Sequence, residues 1–583
     1  MKILGVVTET HHSGVALLDD GVLVLVLEEE RFNREKHTQE FPRHSLEAAC
    51  AALRLRIDDI DVITTPWDVA QLRRTFAKAV FGGLPGSLTL LWPGAHAAQD
   101  SGIVLLPFWL RFNLRCMVGL AKLPEMVKVG HHDAHAAIFF TSPFEEAAVL
   151  VMDGYGDMSA TSAYVGRGNR LECLSRGGFF DSIGMLYTLV THHLGFKTFE
   201  EGTVMALAAC GGDTYVEKFR ELIQLEEGGL FSLNRDYLRH DRYGQVWPFT
   251  QKFLDAFGPA RRRDEPIGDH HRDLAYALQV CTEETVLHVV RALAAVHPSR
   301  NLCLTGGVAL NCVANARILR DTDYQRVWVP PCASDSGAPL GSALWHYHQT
   351  LGYPRQFEMT HPFYGLAYSD GEIMSALDEA GLSYQRLDEK GIIAQVAEEL
   401  AQGRIVGWFQ GRFEVGPRAL GNRSILADPR KVAMKDKLNA RIKRREPFRP
   451  FAPAVLVERA AEFFEIDQPD PFMTTAPRVR ADKTHLIPAA VHVDGTVRIQ
   501  TVNRSDNPRY YDLIQEFARR TGVPVILNTS FNAKEPIVAS PADAVSCYLR
   551  SGIDVLAIGD FLSLTTSPGP VGARQALHVL AQA

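Results

Sequence analysis

Paired cysteines are missing from this sequence. Its nine cysteines stand singly along 583 residues, and none of them forms a CxxC pair. Such a set argues against a disulfide framework and against a structural zinc site. The opening residues 1–5 enter a strand pattern directly, without the layout of a signal peptide. We therefore expect a protein of the reducing cytoplasm.

An excess of positive charge is also missing. The formal net charge is −7 and the calculated pI is about 6.3. That balance gives no broad electrostatic surface for nucleic acid, so we expect no nucleic-acid partner. It leaves room for a local basic pocket that binds a small anion.

The chain has little that could cross a membrane. Residues 79–99 carry no formal charge and are rich in Leu, Phe and Trp, but they include Pro85, Pro93 and four glycines. Prolines and glycines interrupt a spanning helix, so we expect no membrane partner. A buried helix–loop segment is the plainer interpretation of this stretch, and a cap over a binding pocket is the functional one.

The remaining pattern alternates short apolar strands with amphipathic helices, which indicates an α/β protein. No GxxxxGKS/T motif occurs, which argues against a Walker-type nucleotide site. Helices are expected over 271–296 and 371–380. The predicted strands are 2–7, 14–18, 22–27, 147–152, 163–165, 301–304, 326–329, 405–409 and 523–527.

Turn-rich residues 351–365 mark the main domain boundary. We predict one domain over 1–355 and a second over 356–583. The three strands that open the first domain form a meander, which suits the start of an actin- or sugar-kinase-like (ASKHA) domain. In that fold a glycine-containing hairpin faces nucleotide phosphate.

Two histidines lie four residues apart in the motif GHHDAHAA at 130–137. If this segment is helical, His131 and His135 lie on one face, as a divalent metal requires of a two-histidine helix. A polar helix end with solvated histidines is an equal alternative on spacing alone.

Two carboxylates follow strands beside glycines. Asp153 and Gly154 open the motif DGYGD, and Asp335 lies in a DSG motif. Such carboxylates can hold a metal–nucleotide complex, because glycine lets phosphate approach the backbone. For Asp153 alone, a plain β-turn is the better interpretation.

A Gly-Gly turn joins a predicted strand to a helix in the motif LTGGVALN at 304–311. Bare amides at Gly306 and Gly307 favour an anion or a nucleotide at the helix start. Asn311 and Asn315 have the spacing to share a helical face.

Basic and amide-rich runs characterise the second half of the chain. They span residues 416–424, 443–451, 492–500 and 527–532. Arginine offers paired donors that match a phosphate, so several arginines around one cavity could bind a phosphorylated substrate. A solvated helix face is the alternative for 443–449, although Pro447 and its aromatic neighbours favour a packed loop. A tRNA-binding patch is a further alternative, which the acidic total disfavours.

The order of these motifs resembles the carbamoyltransferase family that includes the nodulation-factor and tobramycin O-carbamoyltransferases. The resemblance starts with residues 5–18 around His11, EEERFNREKH at 28–37 and Phe41-Pro42. It continues through the HHxxHA, DGxGD, GGVALN and DSG motifs to about residue 560, which is nearly the whole chain. Each motif alone is common, whereas their combination is specific.

The resemblance implies an ASKHA-type first domain that holds a divalent metal, iron(II) by preference, through His131, His135, Asp153 and Asp335. It implies that His11 is the general base on an acceptor hydroxyl, with Lys36 as a second catalytic residue. A near-neutral imidazole suits that role. Gly154, Gly306, Gly307 and Asn311 are the predicted nucleotide-binding residues.

The resemblance implies a YrdC-like second domain, which uses ATP with Mg²⁺ to form a carbamoyl-adenylate. The acceptor would be a small natural product with a sugar, polyol or macrocycle hydroxyl, and a homodimer is left open. The residues predicted to bind carbamoyl phosphate are Arg418, Lys443, Arg449, Arg498, Ser530 and Asn532.

Three positions depart from the family pattern. His12 stands where the family has Asp, and the family's EGK-MGL run appears as EGTVMAL at 201–207, without its lysine and glycine. Three alternatives stay open: an ASKHA-fold small-molecule kinase, a tRNA threonylcarbamoyl-transfer protein and a non-catalytic nucleotide-binding regulator.

Overall fold

The computed structural model describes residues 1–91, 106–118 and 123–564. Its chain divides into two compact units. Met1–Asn33 and His37–Met359 form the first unit, while Arg34–Lys36 and Thr360–Ala583 form the second. The stretch 79–99 that the sequence marked out lies outside the described residues from position 92 onward.

The first sheet of the first unit has the strand order β3-β2-β1-β4-β5. β1 to β3 form the predicted antiparallel meander, and β4 and β5 continue parallel to β1. The β2–β3 turn is Asp20-Gly21, and both residues have positive φ, which matches the twist of a two-residue hairpin. The strands are β1 (Lys2–Val7), β2 (Gly14–Asp19), β3 (Val22–Glu28), β4 (Val62–Thr65) and β5 (Glu125–Lys128).

The second sheet repeats this arrangement in the order β12-β11-β6-β7-β8. β6 to β8 form an antiparallel meander, and β11 and β12 are parallel to β6. A separate hairpin pairs β9 with β10. Two sheets of the same strand order are the ASKHA architecture, so the expected fold of the first unit is confirmed. The strands are β6 (Glu146–Met152), β7 (Thr161–Arg167), β8 (Arg170–Arg176), β9 (Ile223–Leu225), β10 (Phe231–Leu233), β11 (Asn301–Thr305) and β12 (Arg326–Trp328).

Close backbone approaches fix helix α13 against the first sheet and helix α5. A Cβ on Gly5 would lie 1.9 Å from the Pro339 carbonyl oxygen, and one on Gly341 would lie 1.9 Å from that of Ala134. The helices of this unit are α1 (Glu30–Asn33), α2 (Arg43–Leu53), α3 (Val69–Gly82), α4 (Leu106–Val118), α5 (His131–Ala137), α6 (Ile183–His193), α7 (Glu201–Ala208), α8 (Val216–Arg220), α9 (His240–Tyr243), α10 (Gln251–Phe257), α11 (Asp269–Val296), α12 (Cys312–Asp321) and α13 (Ala338–Leu344).

The second unit is built on a mixed eight-stranded sheet of order β13-β20-β19-β14-β15-β18-β16-β17. This confirms the expected α/β class of the C-terminal domain. Its elements are β13 (Gln385–Arg386), β14 (Val406–Phe409), β15 (Arg423–Ala427), β16 (Ala452–Leu456), β17 (Gln500–Val502), β18 (Val525–Ser530), β19 (Val555–Ile558), β20 (Phe561–Leu564), α14 (Asp370–Glu379), α15 (Glu389–Ala401), α16 (Ala433–Lys437), α17 (Ala460–Phe463), α18 (Pro508–Thr521) and α19 (Pro541–Ser551).

Both faces of this sheet are buried. Along β14, Val406 and Trp408 face a core shared with α15 and α18, whereas Phe409 faces a core shared with α14 and α19. This is the alternation of a strand covered on both sides. One sequence prediction needs correction: β18 extends to Ser530, not 527, because its polar end still pairs with β15 at Ser424.

Within the described residues, none of the helices combines the length and the apolar character needed to cross a membrane.

Candidate functional site

Two histidines and two carboxylates converge in the first unit. His131 begins α5 and His135 lies one turn further along it, as the sequence spacing predicts. Asp153 follows β6, and Asp335 opens the turn before α13. One ligand atom from each of the four residues lies within 4.8 Å of every other.

The distances in this cluster suit a bound cation. Nε2 of His135 lies 3.1 Å from Asp153 Oδ2, 3.3 Å from Asp335 Oδ1 and 3.2 Å from Nε2 of His131. A metal held at about 2.0–2.2 Å sets neighbouring ligand atoms about 3.0–3.5 Å apart. Asp153 Oδ2 is buried and accepts no hydrogen bond among the described residues. The four side chains therefore fit a divalent metal ion.

The electrostatics of the cluster also favour a cation. Burial lowers the pKa of His131, but the charges of Asp335 and Asp153 outweigh it and raise this pKa to about 10. The pKa of Asp335 falls well below its usual value, against the effect of burial, because His11 and His131 face it. The two carboxylates that stabilise a proton on His131 would also stabilise a divalent cation, which displaces that proton when it binds.

Neighbouring groups orient the candidate ligands. His131 Nδ1 lies 3.3 Å from the Pro66 carbonyl oxygen, which leaves Nε2 free to act as a ligand atom. The ring of Trp67 stacks on His131 at 3.9 Å between centroids. No sequence signal pointed to Trp67, because this contact depends on tertiary packing.

The glycines that the sequence assigned to nucleotide hold Asp153. The amides of Gly154 and Gly307 donate to Asp153 Oδ1 at 2.7 and 3.2 Å. Gly306 has φ +88°, and a Cβ there would lie 2.2 Å from the Met152 carbonyl oxygen. Glycine is therefore needed for this turn to approach the strand that carries Asp153.

Asn311, the fourth predicted nucleotide ligand, caps α12. Its Oδ1 accepts from the Ala314 amide at 3.1 Å, and its Nδ2 donates to Gln279 on α11 at 3.0 Å. Asn311 thus joins the start of α12 to the longest helix of the unit.

His11 reaches the same cluster: its Nε2 lies 3.3 Å from Asp335 Oδ2. The next residue, His12, lies with its Nε2 2.9 Å from Nδ1 of His37. The ring of Phe199 stacks on His37 at 3.9 Å. His12, His37 and Phe199 all have positive φ, a strained conformation for such residues and one that concentrates at functional sites. The His37 and Phe199 contacts were not predicted.

Both replaced positions of the EGTVMAL run lie inside the unit. Thr203 and Ala206 are buried on α7. Glu201, at the start of that helix, accepts a hydrogen bond from Thr188 at 2.8 Å.

In the second unit, Lys443 is buried within a cage of neutral oxygens. Its Nζ donates to the backbone and side-chain oxygens of Ser530 and Asn532 at 2.7 to 3.1 Å. Burial first, and then the positive charges of Arg445 and others, lower its pKa well below the usual value. The structure thus joins three predicted residues of the carbamoyl phosphate site.

Arginines surround this lysine. Burial, followed by the charges of Arg449 and Arg498, lowers the pKa of Arg445 to about 9. Arg498 has a buried Nε with no hydrogen-bond partner among the described residues. Glu446 offsets the charge only in part, with a carboxylate oxygen 3.9 Å from Arg449. Basic side chains close enough to lower one another's pKa favour an anionic ligand among them.

Arg445 was missed in the sequence, although it lies in the basic run at 443–451. The sequence of that run does not distinguish Arg445 from the other basic residues in it. Its guanidinium lies over the ring of Phe451 and donates to Asn439 at 2.8 Å, so it lines the site from a fixed position.

The buried carboxylate of Glu414 holds the loop that carries Arg418 in place. Oε1 of Glu414 accepts from the amides of Leu420, Asn422 and Arg423 at 2.8 to 3.0 Å. Arg423 is fully buried, and its guanidinium lies 3.5 Å from the centre of the Phe409 ring. Arg418 itself is half-buried on this loop.

Lys36 belongs to the second unit, together with Arg34. Arg34 donates to the carbonyls of Pro536 and Ile537 at 2.6 and 2.9 Å. The charge of Lys36 contributes to the lowered pKa of Lys443. The residue expected to be catalytic is thus grouped with the anion-binding candidates.

The unit of two repeated sheets thus carries a candidate cation site, and the α/β unit that follows it carries a buried cluster of basic residues. Family comparison makes this specific: residues 2–344 match the model described as Carbamoyltransferase N-terminus, and residues 397–564 match Carbamoyltransferase C-terminus. The chain belongs to the carbamoyltransferase family and is a carbamoyltransferase.

Two relatives match nearly the whole chain. The uncharacterized protein sll1178 of Synechocystis is 37% identical, over 97% of this chain and 97% of its own. The nodulation protein NolNO of Sinorhizobium fredii is 38% identical, over 97% of this chain and 80% of its own. Among solved structures, HypF of T. kodakarensis matches 60% of this chain and 48% of its own at 14% identity, with a TM-score of 0.31.

Proposed function

We propose that this carbamoyltransferase is ATP-dependent and acts on oxygen. It forms a carbamoyl-adenylate from carbamoyl phosphate and ATP–Mg²⁺, and transfers the carbamoyl group to a hydroxyl of a small natural product, such as a sugar, polyol or macrocycle, as in antibiotic biosynthesis. The observation that carries the proposal is the pairing of a buried cationic cluster in one unit with a His/Asp cluster and adjacent base in the other.

The second unit performs the activation in this proposal. Arg449, Arg498 and Lys443 bind carbamoyl phosphate and the phosphates of ATP. Water displaces phosphate from carbamoyl phosphate, and an oxygen of the resulting carbamate attacks the α-phosphorus of ATP. Pyrophosphate leaves, and the carbamoyl-adenylate remains. The cluster supports this step because fixed cations stabilise the charge that develops on the departing phosphates.

The first unit performs the transfer. The acceptor oxygen attacks the carbamoyl carbon, its proton passes to His11, and AMP leaves. Asp335, 3.3 Å from His11 Nε2, orients the imidazole and stabilises the imidazolium. His131, His135, Asp153 and Asp335 would hold the metal, for which we propose iron(II). When bound, the metal supplies a Lewis acid for phosphate or carbonyl oxygens.

None of the nine cysteines, all of which lie within the described residues, forms a disulfide, which supports a reducing, cytoplasmic setting.

Product analysis tests the proposal. The purified protein is incubated with isotope-labelled carbamoyl phosphate, ATP, Mg²⁺, iron(II) and a panel of sugars and polyols, and products are identified by mass spectrometry. We expect a carbamate ester together with AMP. ADP and a phosphorylated acceptor would instead establish a small-molecule kinase.

A further inference from the structure

The first unit carries a concentrated set of exposed apolar side chains on α3, the turn that follows it and α4. Phe81 on α3 is 74% exposed, and Phe108 and Phe112 on α4 are 60% and 48% exposed. Leu84, Leu88, Leu91 and Trp109 are also exposed. Soluble proteins expose single apolar residues, but seven within two short segments mark an interaction surface.

Helix α4 is apolar on both sides, which identifies its outer face as a binding face. Three leucines on one side of α4 are fully buried and pack against the rest of the unit: Leu106, Leu110 and Leu114. Phe108 and Phe112 share the opposite face at i, i+4 spacing, and their rings stack at 6.1 Å. An amphipathic helix that only covered a core would have a polar outer face.

The charges beside this face are all positive. Arg111 and Arg115 are exposed on α4, at positions that place them beside Phe108 and Phe112. Arg74 and Lys78 are exposed on α3, on the face that carries Phe81. The described residues 69–91 and 106–118 contain five basic residues and no acidic one. The whole chain has a net charge of −7, so the charge of these two segments is opposite in sign to that of the whole chain.

Helices α3 and α4 contact each other through buried residues near their N-terminal ends. Leu106 packs with Val69 and Leu72 in one buried cluster, and Trp67, which stacks on His131, belongs to the same cluster. The exposed segments are thus anchored to the part of the unit that holds the candidate metal site.

We propose that the outer face of α4, with α3 and its following turn, is a docking surface for an anionic phospholipid bilayer. Aromatic rings enter the headgroup–acyl boundary, while arginine and lysine stay with the phosphates, as in interfacial helices. Docking is peripheral and needs no spanning helix, so it departs from the expectation of no membrane partner, and it would bring the enzyme to acceptors at the membrane surface. It does not depend on the proposed adenylate chemistry.

Vesicle flotation of the full-length protein tests this. Vesicles of phosphatidylcholine alone are compared with vesicles that also contain phosphatidylglycerol. We expect binding to the anionic vesicles only. Arg111→Glu with Arg115→Glu should weaken it at least about tenfold, since each basic residue contributes near an anionic surface. Phe108→Ser with Phe112→Ser should weaken it by a similar factor.

Val296→Ser is the matched control, because Val296 is 67% exposed at the end of α11 in the same unit, and it should leave binding unchanged. The four substituted side chains on α4 are exposed, so melting temperatures should stay near wild type. Absence of binding to anionic vesicles, or binding insensitive to both α4 variants, would overturn the proposal. A dimer that Phe108→Ser with Phe112→Ser dissociates, without vesicle binding, would assign the face to a second copy of the chain.

Discussion

Nζ of Lys443 lies 2.7 Å from Oδ1 and 2.9 Å from the backbone oxygen of Asn532. No carboxylate of the described residues forms an ion pair with it at 4.0 Å or less. Burial and nearby positive charges lower the pKa of this amine, so an anion bound beside it would stabilise its charged form, which is the property that the proposed carbamoyl phosphate site requires.

Lys443→Met should therefore lower carbamoyl-phosphate-dependent turnover by about 100-fold or more, the scale of removing one fixed donor to a developing charge. Turnover is measured by product formation, and thermal melting shows how much folded enzyme is present. Lys390→Met, at an exposed lysine on α15, is the control and should match wild type. Wild-type turnover in Lys443→Met would remove this lysine from the site.

Substitutions in the His/Asp cluster should weaken metal binding. His135→Ala and Asp153→Asn each remove one of four ligands, so iron(II) binding should weaken by more than about 100-fold, because changes that only touch a ligand's neighbours already cost about 10- to 100-fold. Metal-free protein is titrated with iron(II), and bound metal is measured after gel filtration. His485→Ala, at an exposed histidine, should bind like wild type. Equal stoichiometry and affinity in all four proteins would contradict the assignment.

The division of labour between the units predicts separate losses. His11→Ala should retain pyrophosphate release and lose transfer to the acceptor by about 100- to 10,000-fold, the usual contribution of a positioned base. Pyrophosphate and carbamoylated product are measured in the same reaction. Loss of pyrophosphate release in this variant would show that His11 acts before transfer.

The stability of the first unit should fall in mild acid. Burial, with a smaller effect of Arg235, lowers the pKa of His240 to about 4, from 6.5. The folded state thus takes up fewer protons than the unfolded state, and its stability is lost as pH falls below 6.5. Between pH 7 and 5 this one residue accounts for about 2 kcal/mol.

His240→Gln retains a donor for the Phe180 carbonyl, which His240 Nε2 contacts at 2.8 Å, and it does not titrate. Denaturant unfolding at both pH values should show a smaller acid loss in the variant than in wild type. The same loss in both proteins would mean that other groups account for it.

Much of this fold could be predicted from local patterns. The opening meander follows from short apolar runs and the Asp20-Gly21 turn, and the long helix begins at Asp269, two residues before the predicted start. The His131 and His135 pair follows from helical spacing. The membership of Arg34–Lys36 in the second unit could not be predicted, because its contacts are made with residues some 500 positions away.

Burial explains why the sequence did not identify two further residues that shape the candidate site. Glu414 and Arg423 look like surface residues in a polar run, yet both are fully buried and shape the loop of Arg418. Their partners are backbone groups and an aromatic ring, which leave no pattern in the sequence. The extension of β18 to Ser530 likewise depends on pairing with β15, which overrides the low strand propensity of Asn528.

Pyrophosphate release from ATP, measured with and without carbamoyl phosphate in the iron(II)-supplemented protein, shows whether the second unit forms a carbamoyl-adenylate. We expect release that requires carbamoyl phosphate in wild type and is absent in Arg449→Ala. No release from wild type, or release that ignores carbamoyl phosphate, would contradict this activation step.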